Sequence, residues 1–291
     1  MIEIRTEAYR LLCPKRQIGP VIFASPHSGC DYRPEFLARS VLDAGHIRSS
    51  EDAFVDRLFD LAPHLGAPLL AATVPRAFLD LNRASDELDP AVIEGLHRVP
   101  HNPRINSGLG VIPRVVAGGR AIYSGKLDRL EAESRIARYW HPYHTALAKL
   151  IRDTRDAFGW AILIDCHSMP HEAIEAHTRF GQPCPDVVLG DRYGAAAGRD
   201  VMERVEAAFA KAGLRVARNA PFAGAYVTQA YGRPQRGVHV VQVEIDRALY
   251  MDEALVAPLP GFDAFRDRCH AVMSDILHPP GLAPGLALAA E

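Results

Sequence analysis

The residues best suited to hydrolytic chemistry in this sequence stand where apolar runs end. VIFAS runs into Pro26-His27-Ser28-Gly29, AILI into Asp165-Cys166-His167-Ser168, and HVVQV into Glu244-Ile245-Asp246; the segment after ATV carries Arg76, Asp80, Asn82 and Arg83. Two histidines at the ends of two buried strands make a reasonable metal pair. A carboxylate at the start of the helix after the first of them, Asp52, completes three ligands and leaves a position open for water. Glu244 sits in a run of valines, and a buried carboxylate without a partner is costly, so it implies a cation, an arginine or a proton-handling task. Each residue also has a plain structural reading: a strand-end histidine can be satisfied by hydrogen bonds, Asp52 can favour a helix N-terminus, and Asp165 can form a turn. Ser168 and Cys166 lie in no G-x-S-x-G elbow, and adjacency to a histidine in sequence is not geometry, which argues against a nucleophile there.

These residues need rigid elements behind them. GPVIFASPHSG, APLLAATVP, WAILIDCHS, DVVLGD and VHVVQVEID are apolar without helical period and read as strands covered on both faces. Helical spacing predicts helices over Asp52 to His64, Leu127 to Phe158 with a kink or break at Pro142, Tyr193 to Ala212, and Phe262 to Leu277. Strand and helix alternate, which predicts an α/β fold with a mostly parallel sheet, and in such sheets ligands gather beyond the carboxyl ends of the strands. The proline- and glycine-rich stretch from Asp89 to Gly125 reads as an irregular excursion that forms a lid or a binding wall. Residues 1–278 read as one domain, and 279–291 as a loosely ordered tail.

Composition narrows the class. The chain has 291 residues, 48% of them hydrophobic, enough to bury a sizeable core. Lysine and arginine number 33 against 35 aspartates and glutamates, so the net charge of -2 gives no broad attraction to nucleic acid or anionic lipid. No run approaches the roughly 20 apolar residues of a membrane span, and the N-terminal residues lack the apolar core of a secretory signal. Cys13, Cys30, Cys166, Cys184 and Cys269 are odd in number and form no CxxC pair, which argues against a disulfide framework or a thiolate metal site and for a reducing cytoplasm.

PHSG, SEDAFVDRLFDLA, RAFLDLNR at Arg76 to Arg83, HPYH at His141 to His144, DCHS, and GAYVTQAYGRPQRGVHVVQVEID follow one another from about Val21 to Met251. Together, in that order, they resemble the N-formylglutamate amidohydrolase family, which is related to the zinc carboxypeptidases and the aspartoacylase group. The resemblance implies a carboxypeptidase-like mixed sheet flanked by helices, one zinc or another divalent ion, His27 as first ligand, His167 as last, and Glu244 as general base. The carboxypeptidase pattern has a zinc-binding glutamate three residues after the first histidine; Cys30 occupies that spacing here. Asp52 takes the role, with Glu51 and Asp31 as alternates.

The implied reaction is hydrolysis of N-formyl-L-glutamate, or of a related N-acyl amino acid, in histidine degradation. Within it Arg76 is the candidate partner of the oxyanion. Arg83 with Asn82 beside it, and more weakly Arg114, are candidates for a substrate carboxylate. The resemblance also marks His144, which either lines the pocket or packs structurally. Asp165, two residues before His167, is placed to orient its imidazole, and His239 reads as structural. The competing class is a non-catalytic carboxylate-binding protein on the same fold, against which the joint presence of both histidines, Asp52 and Glu244 argues.

Overall fold

All five apolar runs form strands, and a computed structural model describes them within residues 1–96, 102–178 and 181–278. In chain order the strands are β1 (Ile2–Arg5), β2 (Tyr9–Cys13), β3 (Val21–Ser25), β4 (Leu69–Ala72), β5 (Ala161–Met169), β6 (Val187–Gly190), β7 (Val216–Arg218) and β8 (Val238–Asp246). They join in one sheet of order β1-β2-β4-β3-β5-β8-β6-β7. The central strands β4, β3, β5 and β8 are parallel. The β1/β2 hairpin lies antiparallel to β4 at one edge, and the parallel pair β6/β7 lies antiparallel to β8 at the other. This is the mostly parallel, mixed α/β sheet that the alternation of elements predicts. Every residue of β3, β4, β5 and β6 is buried, which removes the apolar/polar alternation of a half-exposed strand. β1, β2 and β7 go beyond the expected strands; β1 is exposed throughout and alternates isoleucine with charge, as an edge strand does.

The period of two along β5 and β8 separates core from chemistry. On one face Ile162, Ile164 and Cys166 join Val241, Val243 and Ile245 in a core that includes the helices Arg199–Lys211 and Phe262–Leu277. On the other face Ala161, Leu163, Val238 and Val240 pack with Tyr143, Leu147 and Ile151 of the helix His141–Phe158. Farther along, that second face turns polar, because the register pairs Asp165 with Gln242 and His167 with Glu244.

The helices depart from expectation at their starts. The expected helix from Asp52 shrinks to the single turn Val55–Leu58, preceded by Phe54 in left-handed backbone at φ 66°. A non-glycine residue there ends any helix running through from Asp52 and frees the aspartate to turn inward. The helix Arg199–Lys211 begins six residues later than Tyr193, since Arg192, Tyr193 and Gly194 all have positive φ. In the long helical region, Arg129–Arg135 leads into a π-helical turn at Ile136–Trp140 and then into His141–Phe158. Pro142 lacks an N–H and crowds the carbonyl four residues back; the widened turn accommodates both in place of a sharp kink. The stretch from Asp89 to Gly125 is irregular but sewn to the body by bridges such as Ile93 to Leu127 and Ser40 to Tyr123, and it buries Val92, Val111, Ile112 and Ile122. Residues 97–101 of that stretch and the tail from 279 lie outside the described residues.

Candidate active site

His27 leaves the carboxyl end of β3 in a turn that only glycine permits at position 29. A Cβ on Gly29 would stand 2.1 Å from the Val74 carbonyl oxygen, so the strap after β3 lies flat against the segment after β4. The Asp52 amide donates to the His27 carbonyl at 3.0 Å, which draws the Asp52 loop against the same turn. His167 arrives from β5, one strand away. The result is a buried triangle: His27 Nδ1 to His167 Nδ1 is 3.1 Å, His167 Nδ1 to Asp52 Oδ2 is 3.0 Å, and His27 Nδ1 to Asp52 Oδ2 is 3.4 Å. Metal bonds of about 2.0 to 2.2 Å at tetrahedral angles separate ligand atoms by roughly 3.3 Å. His27, Asp52 and His167 can therefore hold a metal ion among them.

The far side of each ligand is also furnished. His27 Nε2 lies 2.7 Å from Asp80 Oδ1, and Asp80 in turn accepts from Arg76 Nε at 3.1 Å and from the Asn82 amide at 2.8 Å. Asp52 Oδ1 accepts from Arg247 Nη2 at 2.9 Å. His167 Nε2 lies 3.1 Å from Asp165 Oδ2 and 3.1 Å from Asn82 Nδ2. Asp165 is wholly buried and its oxygens have no well-formed hydrogen bond. With a metal ion on Nδ1, His167 would carry its proton on Nε2, toward Asp165 and in place of the contact from Asn82 Nδ2. The donor set thus fits a divalent ion.

Electrostatics follow from the same contacts. Burial alone would raise Asp52, but bonds from His167 and His27 and the charge of Arg247 hold it well below the usual carboxylate range. Asp80 is held low in the same way, against burial, by His27, Arg76 and Arg83. Burial lowers His167, yet Asp165 and Asp52 outweigh it and push the imidazole well up. Glu244 goes the other way: burial pushes its carboxyl up to about 7, with Asp52 and Asp165 adding and His167 and Arg76 opposing. Gln242, its neighbour on the same face of β8, donates to Glu244 Oε1 at 2.8 Å and fixes the carboxyl in place. A carboxyl poised near neutrality, opposite His167 across the strand pair, can give and take a proton.

Above these groups opens a cavity of about 400 Å³, and His27, Asp52, Arg76, Asn82, Arg83, His167 and Glu244 all line it. Its outer wall comes from the irregular excursion, through Arg104, Ser107, Leu109 and the turn at Val115 to Gly119. Arg83 is buried without a carboxylate partner among the described residues: Nε donates to the Leu109 carbonyl at 3.0 Å and Nη1 to the Asn82 carbonyl at 2.8 Å.

Two expected residues lie elsewhere. Arg114 turns to Asp89 at 3.0 Å and to the Asn106 carbonyl, tying the excursion together outside the cavity lining. His144 sits behind the Leu81 to Arg83 segment, with Nε2 2.9 Å from the Leu81 carbonyl oxygen, Nδ1 2.9 Å from the Tyr231 hydroxyl, and its ring against Trp140. The alternates for the third ligand are also placed: Glu51 receives Arg48 and the Tyr32 hydroxyl and does not join the triangle, and Asp31 is exposed. Three residues of the site were not read from sequence. Arg247 follows VVQVEID directly and is buried against Asp52, a signal available in an arginine that ends a buried run; Gln242 and Arg104 left no comparable mark.

Comparison with known proteins shows the family. Residues 19–251 match the family described as N-formylglutamate amidohydrolase. The N-formylglutamate deformylase of Pseudomonas aeruginosa is 32% identical over 269 residues, 90% of this chain and 93% of that protein. That of Pseudomonas putida is 28% identical over 239 residues, 80% of this chain and 82% of its own length. The crystal structure of N-formylglutamate amidohydrolase from Ralstonia eutropha JMP134 superposes with a TM-score of 0.85 at 34% identity, covering 94% of this chain and 98% of that one.

Proposed function

The chain belongs to the N-formylglutamate amidohydrolase family, and from that membership we propose that it hydrolyses the amide of N-formyl-L-glutamate or a closely related N-acyl amino acid, releasing formate (or the corresponding acid) and the amino acid. The observation that carries the reading is the ligand-sized triangle of His27, Asp52 and His167 beside Glu244, at the base of a cavity that also exposes a buried arginine without a carboxylate. Zinc is the ion we assign, because two imidazoles and one carboxylate with an open fourth position are the donors of a hydrolytic zinc site. When bound, it supplies Lewis acidity to the scissile carbonyl and to the attacking water.

The chain's own residues supply the rest. Glu244 accepts the proton of the water as the C–O bond forms and delivers it to the leaving nitrogen as the tetrahedral adduct collapses and the C–N bond breaks. Arg76, tethered to Asp80 with its guanidinium at the cavity wall, faces the negative charge that grows on the carbonyl oxygen. Arg83 takes a carboxylate of the amino acid, which its fork matches in two-pronged fashion, and Asn82 braces it from beside His167. We read residues 1–278 as one catalytic domain. The family resemblance supports a place in histidine degradation, and the unpaired cysteines suit a reducing cytoplasm. Among the described residues, no helix is long and apolar enough to cross a membrane.

Metal analysis of the purified protein, joined to a formate-release assay on N-formylglutamate and N-formylaspartate and a glutamate-release assay on N-acetylglutamate, tests the proposal. About one metal per chain with release from N-formylglutamate is the expected result. Stoichiometric metal with no turnover of any of the three would favour a carboxylate-binding protein instead.

A further inference from the structure

The cavity holds more positive charge than its own carboxylates answer. Arg76 is engaged by Asp80 and Arg247 by Asp52, whereas Arg83 and Arg104 have no ion-pair partner among the described residues. The two unanswered guanidiniums are held near one another by the chain. Arg104 lies in the short helix Pro103–Asn106, which Asn102 caps by accepting from the Arg104 amide at 2.9 Å. The Arg104 carbonyl accepts from the Leu109 amide at 2.8 Å, and the Leu109 carbonyl accepts from Arg83 Nε at 3.0 Å. Burial holds Arg83 below the usual arginine range; Asp80 and Glu87 oppose this, and Arg76 and Arg104 add to it by repulsion. Glu87, which accepts from the Ala84 amide and from Asn102 Nδ2, lies nearby but forms an ion pair with neither arginine among the described residues, so two like charges at the cavity wall are stabilised by an anion from outside.

Their depths differ. Arg83 is buried beside Asn82, which touches His167, while Arg104 is exposed and reaches the cavity from the excursion. The α-carboxylate of an N-acyl amino acid lies two bonds from the scissile nitrogen, and a carboxylate on its side chain lies farther out. Resting on the function proposed above, we propose that Arg104 is a specificity-determining residue, receiving the side-chain carboxylate of a dicarboxylic N-acyl amino acid while Arg83 receives the α-carboxylate. The excursion thereby selects acidic substrates, and its arginine at the exposed rim reads the side chain without touching the reacting atoms.

The test compares N-formylglutamate with N-formylglutamine, which has nearly the same shape and no side-chain charge, on the metal-loaded full chain. Replacing Arg104→Gln removes a charge-assisted bond and lowers the preference in kcat/KM for N-formylglutamate over N-formylglutamine by roughly ten- to hundred-fold, chiefly through KM. Arg104→Glu drives the preference lower still, whereas Arg83→Gln impairs both substrates and leaves their ratio near the wild-type value. An Arg104→Gln enzyme whose ratio stays within about two-fold of wild type, or which loses both substrates equally, overturns the assignment. A metal-loaded wild type that releases formate from neither substrate would instead overturn the deformylase reading, and this inference with it.

Discussion

Asp80 offers the sharpest test of whether the buried triangle is a metal site. Its carboxylate is 2% exposed at the side chain and serves three groups at once: His27 Nε2 at 2.7 Å, Arg76 Nε at 3.1 Å and the Asn82 amide at 2.8 Å. Asp80→Asn keeps the shape and leaves one oxygen to accept from His27 and Asn82, but it removes the charge and turns an NH₂ toward Arg76. If His27 ligates through Nδ1, losing the carboxylate behind Nε2 makes the imidazole a poorer donor and frees its ring to tilt. Outer-shell changes of this kind cost about 10- to 100-fold in metal affinity, or about 1.4 to 2.8 kcal/mol. Competition against a chromophoric chelator measures the affinity, and urea unfolding of the metal-free variant measures the structural cost separately. A plain buried ion pair predicts the reverse pattern, with metal-free stability falling and zinc affinity unchanged. That second outcome would refute the role of Asp80 behind a ligand, and with it the reading of His27 as one.

Other consequences are equally direct. Asp52→Ala should weaken zinc binding far more than Glu51→Ala, because Glu51 is spent on Arg48 and Tyr32; metal content after dialysis gives the order, and the opposite order would move the third ligand. Glu244→Gln should fold and retain zinc while kcat falls by about 10² to 10⁴; near-normal turnover in a zinc-loaded variant would remove Glu244 from proton transfer. His144 carries a pH prediction. Burial pushes its imidazole down to about 4, so the unfolded chain, with an ordinary value near 6.5, binds the extra proton. Its contribution to stability is complete above about pH 6.5 and drains as pH falls toward 4, by about 3 kcal/mol. His144→Gln, which can still donate to Leu81 and accept from Tyr231, should flatten the pH dependence of unfolding in that window. An unchanged slope would show that other groups set the acid limit.

Some of this site is legible in the sequence for a physical reason. His27, His167 and Glu244 interrupt or end runs of apolar residues, and a sheet buried on both faces tolerates such polar groups only near the mouth of a ligand site. Strand parity is legible as well: Asp165 and His167, two apart, must share a face, as must Gln242 and Glu244. What the sequence hides is the neighbour across the sheet, since the pairing of His167 with Glu244 depends on a register set by strands more than 70 residues apart. His144 was misplaced for a related reason. Its motif fixes its presence, but the Trp140 and Tyr231 rings and the Leu81 carbonyl that enclose it are tertiary neighbours. The start of the helix after Asp52 failed because apolar spacing continues unbroken through Phe54, whose left-handed backbone no periodicity registers.

The charges of the site give the metal reading a second support, independent of the ligand distances. Four buried carboxylates, Asp52, Asp80, Asp165 and Glu244, stand around two histidines; Arg247 and Arg76 pair with Asp52 and Asp80, and Arg83 adds close charge beside Asp80. Asp165 and Glu244 have no arginine ion pair among the described residues, in a region where an uncompensated charge costs several kcal/mol. Without metal, protons are the available remedy, and the perturbed groups are those a proton would serve: His167 pushed up by Asp165 and Asp52 against its burial, and Glu244 pushed up to about 7 by burial. A divalent ion held by His27, Asp52 and His167 would supply positive charge to the same carboxylates. With such an ion bound, His167 would hold its proton on Nε2 toward Asp165, and Glu244 would be free to act as a base. Arg83 and Arg104 are then the cations of the cavity without an ion pair among the described residues, at the end where the amino-acid portion of a substrate would lie. One arrangement of charge would thus suit both a metal at the base and an anionic substrate at the mouth.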